Sequence, residues 1–99
     1  MADIAEQLSG IDSKIQAAIQ ATTSDAGASP VLVAVVQEFG RKSAKAAAGG
    51  GRTEVIELEQ AGDSAKAAAE ADAGASEPTR QAVLDAHLAI CMLKAETAE

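Results

Sequence analysis

Apolar residues recur along the first quarter of the chain at alternating spacings of four and three. This spacing returns side chains to one face of a helix, so it predicts a helix over about residues 3–23. Its members are Ile4, Leu8, Ile11, Ile15, Ala18 and Thr22, with Ile19 widening the face. A helix capped by Ser9 and starting near Gly10 is the alternative. We favour one helix because the spacing runs through Gly10 unchanged.

The pair Ser29-Pro30 predicts the start of a second helix, because serine caps helices and proline suits their first turn. The next six residues are rich in β-branched side chains, so a buried strand over 31–36 is the alternative. The helix is favoured because one helical face collects Val31, Leu32, Val35, Val36 and Phe39. The glycines at 49–51 then end the helix and form a flexible joint.

The third apolar series consists mostly of small residues. Its spacing predicts a helix over about residues 53–73, with an inward seam of Val55, Leu58, Gly62, Ala65 and Ala69. Such a seam permits close approach of a neighbouring helix. Gly62 followed by Asp63 is the point where two shorter helices would meet instead.

The last apolar segment, capped by Ser76, carries apolar residues on two faces of one helix. One face holds Ala82, Val83, Ala86, Ala89, Ile90 and Leu93, and the other holds Leu84, Leu88, Cys91 and Ala95. Between them runs a basic seam of Arg80, His87 and Lys94. A helix that is apolar on two sides has neighbours on two sides, so this one lies centrally in a bundle or at a subunit interface.

The sequence D-A-G-A-S-P at 25–30 returns as D-A-G-A-S-E-P at 72–78. Each copy separates two helical segments, which suggests two αα-hairpins, and chance reuse of turn residues is the alternative. We therefore predict an all-α fold: a single domain over residues 1–99, forming a small antiparallel bundle of about four helices. Its hairpins cover 3–48 and 53–97 and are joined by the glycine linker 49–51.

Composition predicts a thin core. The chain has 25 alanines but only 19 leucine, isoleucine, valine and phenylalanine residues together. We expect Leu32, Val35, Val36 and Phe39 to pack against Ile11, Ile15, Ile19 and the face of Val83 and Ile90. A core with so few large side chains gives a lone monomer only marginal folding stability, so a homodimer or larger assembly is expected.

The second apolar face of the last helix is the predicted interface between copies. Its residues are Leu84, Leu88 and Cys91, with Arg80 and Asp85 pairing across the two-fold axis.

The net charge of −7 argues against nucleic-acid binding. No segment is apolar and long enough to span a membrane. The first residues lack a signal peptide, so we expect a cytoplasmic protein, with signal-less secretion as the open alternative.

His87 and Cys91 lie four residues apart, a spacing at which two side chains can hold one metal ion. Zinc takes about four ligands, so a site would need carboxylates or the same pair from a second copy. We interpret the pair as packing residues and predict no metal, no cofactor and no catalytic residue. The acidic run Glu54, Glu57, Glu59 and Asp63 is interpreted as a solvent-exposed face.

These patterns favour a non-catalytic, self-associating interaction or assembly protein whose main partner is itself. The alternative is a small binding module or chaperone-like subunit, for example of a secretion system. Such a module would shelter a partner's amphipathic helix or an apolar ligand between its hairpins.

Overall fold

A computed structural model describes residues 4–49 and 51–97. The helices are α1 (Ile4–Ser24), α2 (Pro30–Ala47), α3 (Arg52–Ala71) and α4 (Glu77–Thr97). The predicted all-α fold is thereby confirmed, and no strand occurs within the described residues. The β-branched segment 31–36 lies inside α2, so the strand alternative is wrong.

The four helices form an antiparallel bundle 39 Å long and about 20 Å wide. Each helix packs against the helices before and after it in the chain, and α4 packs against α1 to close the ring. Gly49, with φ at 136°, turns the chain after α2 in the left-handed region that glycine favours. Residue 50 of the predicted linker lies outside the described part of the chain.

The predicted core positions are buried. Leu32, Val36 and Phe39 have no exposed surface, and neither do Ile15, Val83 and Ile90. Ile11 is buried, while Val35 and Ile19 pack at the margin of the core. The side chain of Ile4 lies outside the described residues.

The sequence pattern groups Val31 on one helical face with the core residues of α2, but its side chain is 66% exposed. Successive residues of a helix are rotated by about 100°. When Leu32 takes the inward position in the first turn of α2, Val31 is therefore turned toward solvent.

Neither Gly10 nor Gly62 interrupts its helix. Gly62 is buried where a Cβ atom would lie 3.1 Å from Cζ of Phe39 and 3.3 Å from Cγ2 of Ile90. A Cβ atom at Gly10 would meet nothing within 4 Å. Gly62 thus admits the Phe39 ring between α2 and α3, whereas Gly10 leaves an open surface on α1.

The two loops that share the D-A-G-A-S sequence bind each other, and we name this pair (25–29 and 72–76) the loop clasp. Asp25 Oδ2 accepts a hydrogen bond from the backbone N of Ser76 at 2.8 Å. Asp72 Oδ2 accepts one from the backbone N of Ser29 at 2.7 Å. The repeated sequence therefore corresponds to a reciprocal exchange in which each aspartate holds the start of the other hairpin's second helix.

The remaining atoms of the clasp follow the same symmetry. The other carboxylate oxygen of Asp25 accepts from Gly27 N at 2.9 Å, and that of Asp72 accepts from Gly74 N at 3.0 Å. A Cβ atom at Gly27 would overlap the carbonyl oxygen of Gly74. Because Asp72 has an extended backbone and points across the clasp, α3 ends at Ala71 rather than at the predicted residue 73.

Hydrogen bonding lowers the pKa of both clasp carboxyl groups. The bond from Ser76 N, followed by those from Thr79 and Gly27, lowers the pKa of Asp25 from 3.8 to about 2. The bond from Ser29 N is the largest cause of the lowered pKa of Asp72. Ionised aspartates are therefore part of the folded loops at neutral pH.

Candidate functional site

The two apolar faces of α4 have different environments. Val83, Ala86, Ile90 and Leu93 of the first face are buried in the bundle. On the outer side Leu88 and Met92 are each 59% exposed, and Leu84 is half-buried. Within the second face, the chain's own helices thus leave Leu88 exposed and cover Leu84 in part.

An apolar groove lies beside these exposed residues, between α1 and α4. It encloses about 280 Å³ and is lined by Gln7, Gly10, Ile11, Lys14, Ala89, Met92, Leu93 and Glu96. A smaller depression of about 190 Å³ continues it past Lys14, Asp85, Leu88, Ala89 and Met92. We name the surface formed by Gly10, Ile11, Lys14, Leu88, Ala89 and Met92 the α1–α4 face.

The structure divides the predicted interface residues between two sides of α4. Asp85 and Leu88 border the α1–α4 face. Arg80 lies on the other side, where Nη2 donates to the carbonyl oxygen of Asp72 at 2.9 Å. Cys91 lies beside His87, at the contact with α3. That all five residues form one interface stays a prediction.

Four potential metal ligands meet at the contact between α3 and α4. Glu59 and Asp63 are four residues apart on α3, and His87 and Cys91 are four apart on α4. One donor atom from each lies within 4.8 Å of the corresponding atoms of the others. We name these four residues the α3–α4 cluster.

Hydrogen bonds hold the α3–α4 cluster in place. Nε2 of His87 lies 2.7 Å from Oδ1 of Asp63 and 3.4 Å from Sγ of Cys91. Nζ of Lys94 donates to Oε1 of Glu59 at 3.3 Å. Glu59 is only 14% exposed, so its interpretation as part of a solvated acidic face is wrong. The burial follows because α4 places Lys94 directly against it.

The cluster's environment sets its protonation. The hydrogen bond with His87 is the largest cause of a lowered pKa at Asp63. Burial raises the pKa of the Cys91 thiol, and the nearby charges of Glu59 and Asp63 raise it further. A thiol held protonated in this way is a poor nucleophile at neutral pH.

The sequence indicated only half of this cluster. The spacing of His87 and Cys91 pointed to a pair of donors and to the need for carboxylates. Which carboxylates face them depends on the register between two antiparallel helices. The available signal was the matching four-residue spacing of Glu59 and Asp63.

The chain matches no protein-family model, no curated protein and no solved structure. Over the described residues, none of the helices has the length and apolar character needed to cross a membrane. The function is therefore inferred from the geometry of the chain's own residues.

Proposed function

We propose that this protein is a non-catalytic assembly protein that associates with a second copy of itself through the α1–α4 face. The observation that carries the proposal is the pairing of Leu88 and Met92, both exposed, with an apolar groove on the same surface. Two neighbouring exposed apolar side chains beside such a groove are typical of an interaction site.

The shape of the face suits a two-fold pairing. In such a pairing one patch meets an identical patch, so it must contain both protruding and receiving parts. Leu88 and Met92 protrude one helical turn apart on α4. Gly10, which lacks a side chain, opens the receiving groove beside Ile11 and Ala89.

The charges at the face also suit a second copy. Lys14 on α1 is the basic residue of the groove, and Asp85 and Glu96 on α4 are its acidic residues. A two-fold axis between them brings Lys14 of each copy toward acidic groups of the partner. These pairs contribute orientation more than affinity, because exposed ion pairs contribute only about 0–1 kcal/mol.

The side of the bundle that carries the α1–α4 face is large enough for a stable interface. Stable interfaces bury about 800 Å² on each partner. One long side of a bundle 39 Å long and 20 Å wide offers about that area. Covering it would add apolar contacts to a core with few large side chains.

The alternative of a small apolar ligand has less support. Ligand pockets usually enclose about 300–1,000 Å³ and surround most of the ligand. The groove encloses about 280 Å³ and is open. A partner's amphipathic helix would fit the same groove, and it is one outcome of the test below.

The test replaces Leu88 by glutamate and compares sedimentation over a range of concentrations. Wild type should sediment as a dimer at high micromolar concentration, whereas Leu88→Glu should remain a monomer because it buries a charge at the interface. Val31→Glu is the matched control, since Val31 is similarly exposed but lies on α2. It should behave like wild type.

A monomeric wild type would overturn self-association. If that monomer bound a synthetic amphipathic helix in a Leu88-dependent way, the helix-binding alternative would replace it. Equal dissociation of the Leu88→Glu and Val31→Glu variants would show that the α1–α4 face is not the interface.

A further inference from the structure

We propose that the α3–α4 cluster is a binding site for one Zn²⁺ ion per chain, with Glu59, Asp63, His87 and Cys91 as its ligands. The site is separate from the α1–α4 face, because it lies on the opposite flank of α4. It also needs no second copy, since one chain supplies four donors.

The helical register carries the argument. Residues four apart on a helix point to the same side, so each helix presents a pair of donors. Packing of α3 against α4 sets the two pairs opposite each other. Four donors facing one point from two helices is the arrangement that a four-coordinate ion requires.

The donor atoms are already near coordination distance. In a tetrahedral zinc site with bonds of about 2.0–2.3 Å, the ligand atoms lie about 3.3–3.8 Å apart. The sulfur of Cys91 and Nε2 of His87 lie 3.4 Å apart, and no pair in the cluster exceeds 4.8 Å. Closing the site around an ion requires the hydrogen-bonded pair, His87 Nε2 and Asp63 Oδ1 at 2.7 Å, to separate, and the wider pairs to approach.

The donor chemistry selects the ion. A thiolate and an imidazole favour borderline ions such as Zn²⁺ over Mg²⁺ and Ca²⁺, which prefer oxygen ligands. Two carboxylates and one thiolate carry three negative charges. A divalent ion and the ammonium group of Lys94, next to Glu59, neutralise them together. The thiol proton passes to solvent when the sulfur–metal bond forms.

Access and anchoring are both present. The His87 side chain is mostly buried, with 15% of its surface exposed, so its ring is held in place by packing. The Asp63 side chain is 55% exposed, which leaves a path for an ion to enter. Lys94, also near the surface, can keep a hydrogen bond to a coordinated Glu59. Such outer contacts orient metal ligands.

A bound ion would also join α3 to α4. The seam of α3 beyond Leu58 contains only glycine and alanine, namely Gly62, Ala65 and Ala69. A metal cross-link beside this seam would reinforce the helix that contributes least to the core. Zinc should therefore raise the melting temperature, since an ion bound only to the folded state stabilises it.

The test titrates untagged, metal-free protein with Co²⁺, a spectroscopic substitute for zinc, in a phosphine reductant. One Co²⁺ per chain should bind and produce a thiolate-to-cobalt charge-transfer band in the near ultraviolet. Zn²⁺ should displace the cobalt and abolish the band.

Two ligand variants and one control complete the experiment. Cys91→Ser should lose the band, and Cys91→Ser and His87→Gln should each weaken Zn²⁺ binding by at least about tenfold. Glu70→Gln removes an exposed carboxylate of α3 that pairs with Lys66, outside the cluster, and should bind like wild type. Circular dichroism establishes that each variant is folded.

Three results would overturn the proposal. They are the absence of a charge-transfer band with wild type at excess Co²⁺, a stoichiometry of one ion per two chains, and unchanged Zn²⁺ affinity in folded Cys91→Ser. The wild-type spectrum alone decides the first of these, so the test does not depend on the variants.

Discussion

Phe39 is the only aromatic residue of the chain, and it has no exposed surface. Its ring lies against the backbone of Gly62. Phe39→Ala should lower the free energy of unfolding by roughly 3 kcal/mol or more, because it leaves a cavity where few other large side chains pack. Chemical denaturation measures the change. A loss below about 0.5 kcal/mol would contradict the burial of Phe39.

Two of the helical glycines, Gly10 and Gly62, should respond oppositely to alanine. Gly10→Ala should stabilise the monomer by about 0.5–1 kcal/mol, because the methyl group meets nothing and alanine favours the helix. At Gly62 a methyl group would lie 3.1 Å from Cζ of Phe39 and 3.3 Å from Cγ2 of Ile90, so these fully buried side chains would have to shift. Overpacking costs about 1–3 kcal/mol, which equals or exceeds the propensity gain of about 1 kcal/mol, so Gly62→Ala should destabilise the fold.

Denaturation at concentrations below self-association compares the two glycine variants directly. Gly10→Ala should unfold at higher denaturant than wild type, and Gly62→Ala at lower. Stabilisation by both substitutions would mean that Phe39 and Ile90 have room to relax.

Among the structural elements, the loop clasp is the one whose stability should depend most clearly on acid. The pKa of Asp25 is lower in the folded chain, about 2 against an ordinary 3.8, so the folded state binds fewer protons in this range. The contribution of the ionised Asp25 carboxylate to folding stability is complete above about pH 4 and is lost as the pH falls toward 2. Asp72 shifts in the same direction.

Thermal melts of Asp25→Asn and Asp72→Asn across this pH range test the clasp. Each variant should melt below wild type at pH 7, and the difference should shrink as the pH falls from 4 to 2. Glu70→Gln, which removes an exposed carboxylate of α3 that pairs with Lys66, is the control and should show little difference. A constant difference for Asp25→Asn at all pH values would contradict the ionised clasp.

For the secondary-structure elements, the sequence predicted the helices and their inward faces well. Residues such as Leu58 and Ala65 follow the helical repeat of apolar positions, which depends only on local geometry. It also predicted that Asp25 lies in a turn, whereas its boundary for α3 placed Asp72 in the last turn of that helix. It did not predict that they exchange hydrogen bonds, because such pairing depends on which bundle end each loop occupies. It did not predict that Glu59 and Asp63 lie opposite His87, because this depends on the register between α3 and α4.

For the molecule as a whole, the limiting feature is the shortage of large apolar side chains. Six of the 17 buried apolar residues in the described part of the chain are alanine, and α3 places only Val55 and Leu58 as large residues inside. Yet Leu88 and Met92 remain exposed on one side. A second copy covering them would let the bundle use apolar surface that a single copy leaves in water.

The two proposals occupy different flanks of α4 and are independent. Cys91→Ser alters the α3–α4 cluster only, and Leu88→Glu alters the α1–α4 face only. Failure of zinc binding would therefore leave self-association standing, and the reverse also holds.

The most direct measurement of self-association through the α1–α4 face is an isotope-filtered NMR experiment. Isotope-labelled and unlabelled chains are mixed at high concentration, and only contacts between chains are recorded. The proposal predicts contacts between the Met92 methyl group of one chain and the Ile11 or Ala89 methyl groups of the other. The absence of contacts between chains, or contacts that involve Val31 on α2 instead, would contradict it.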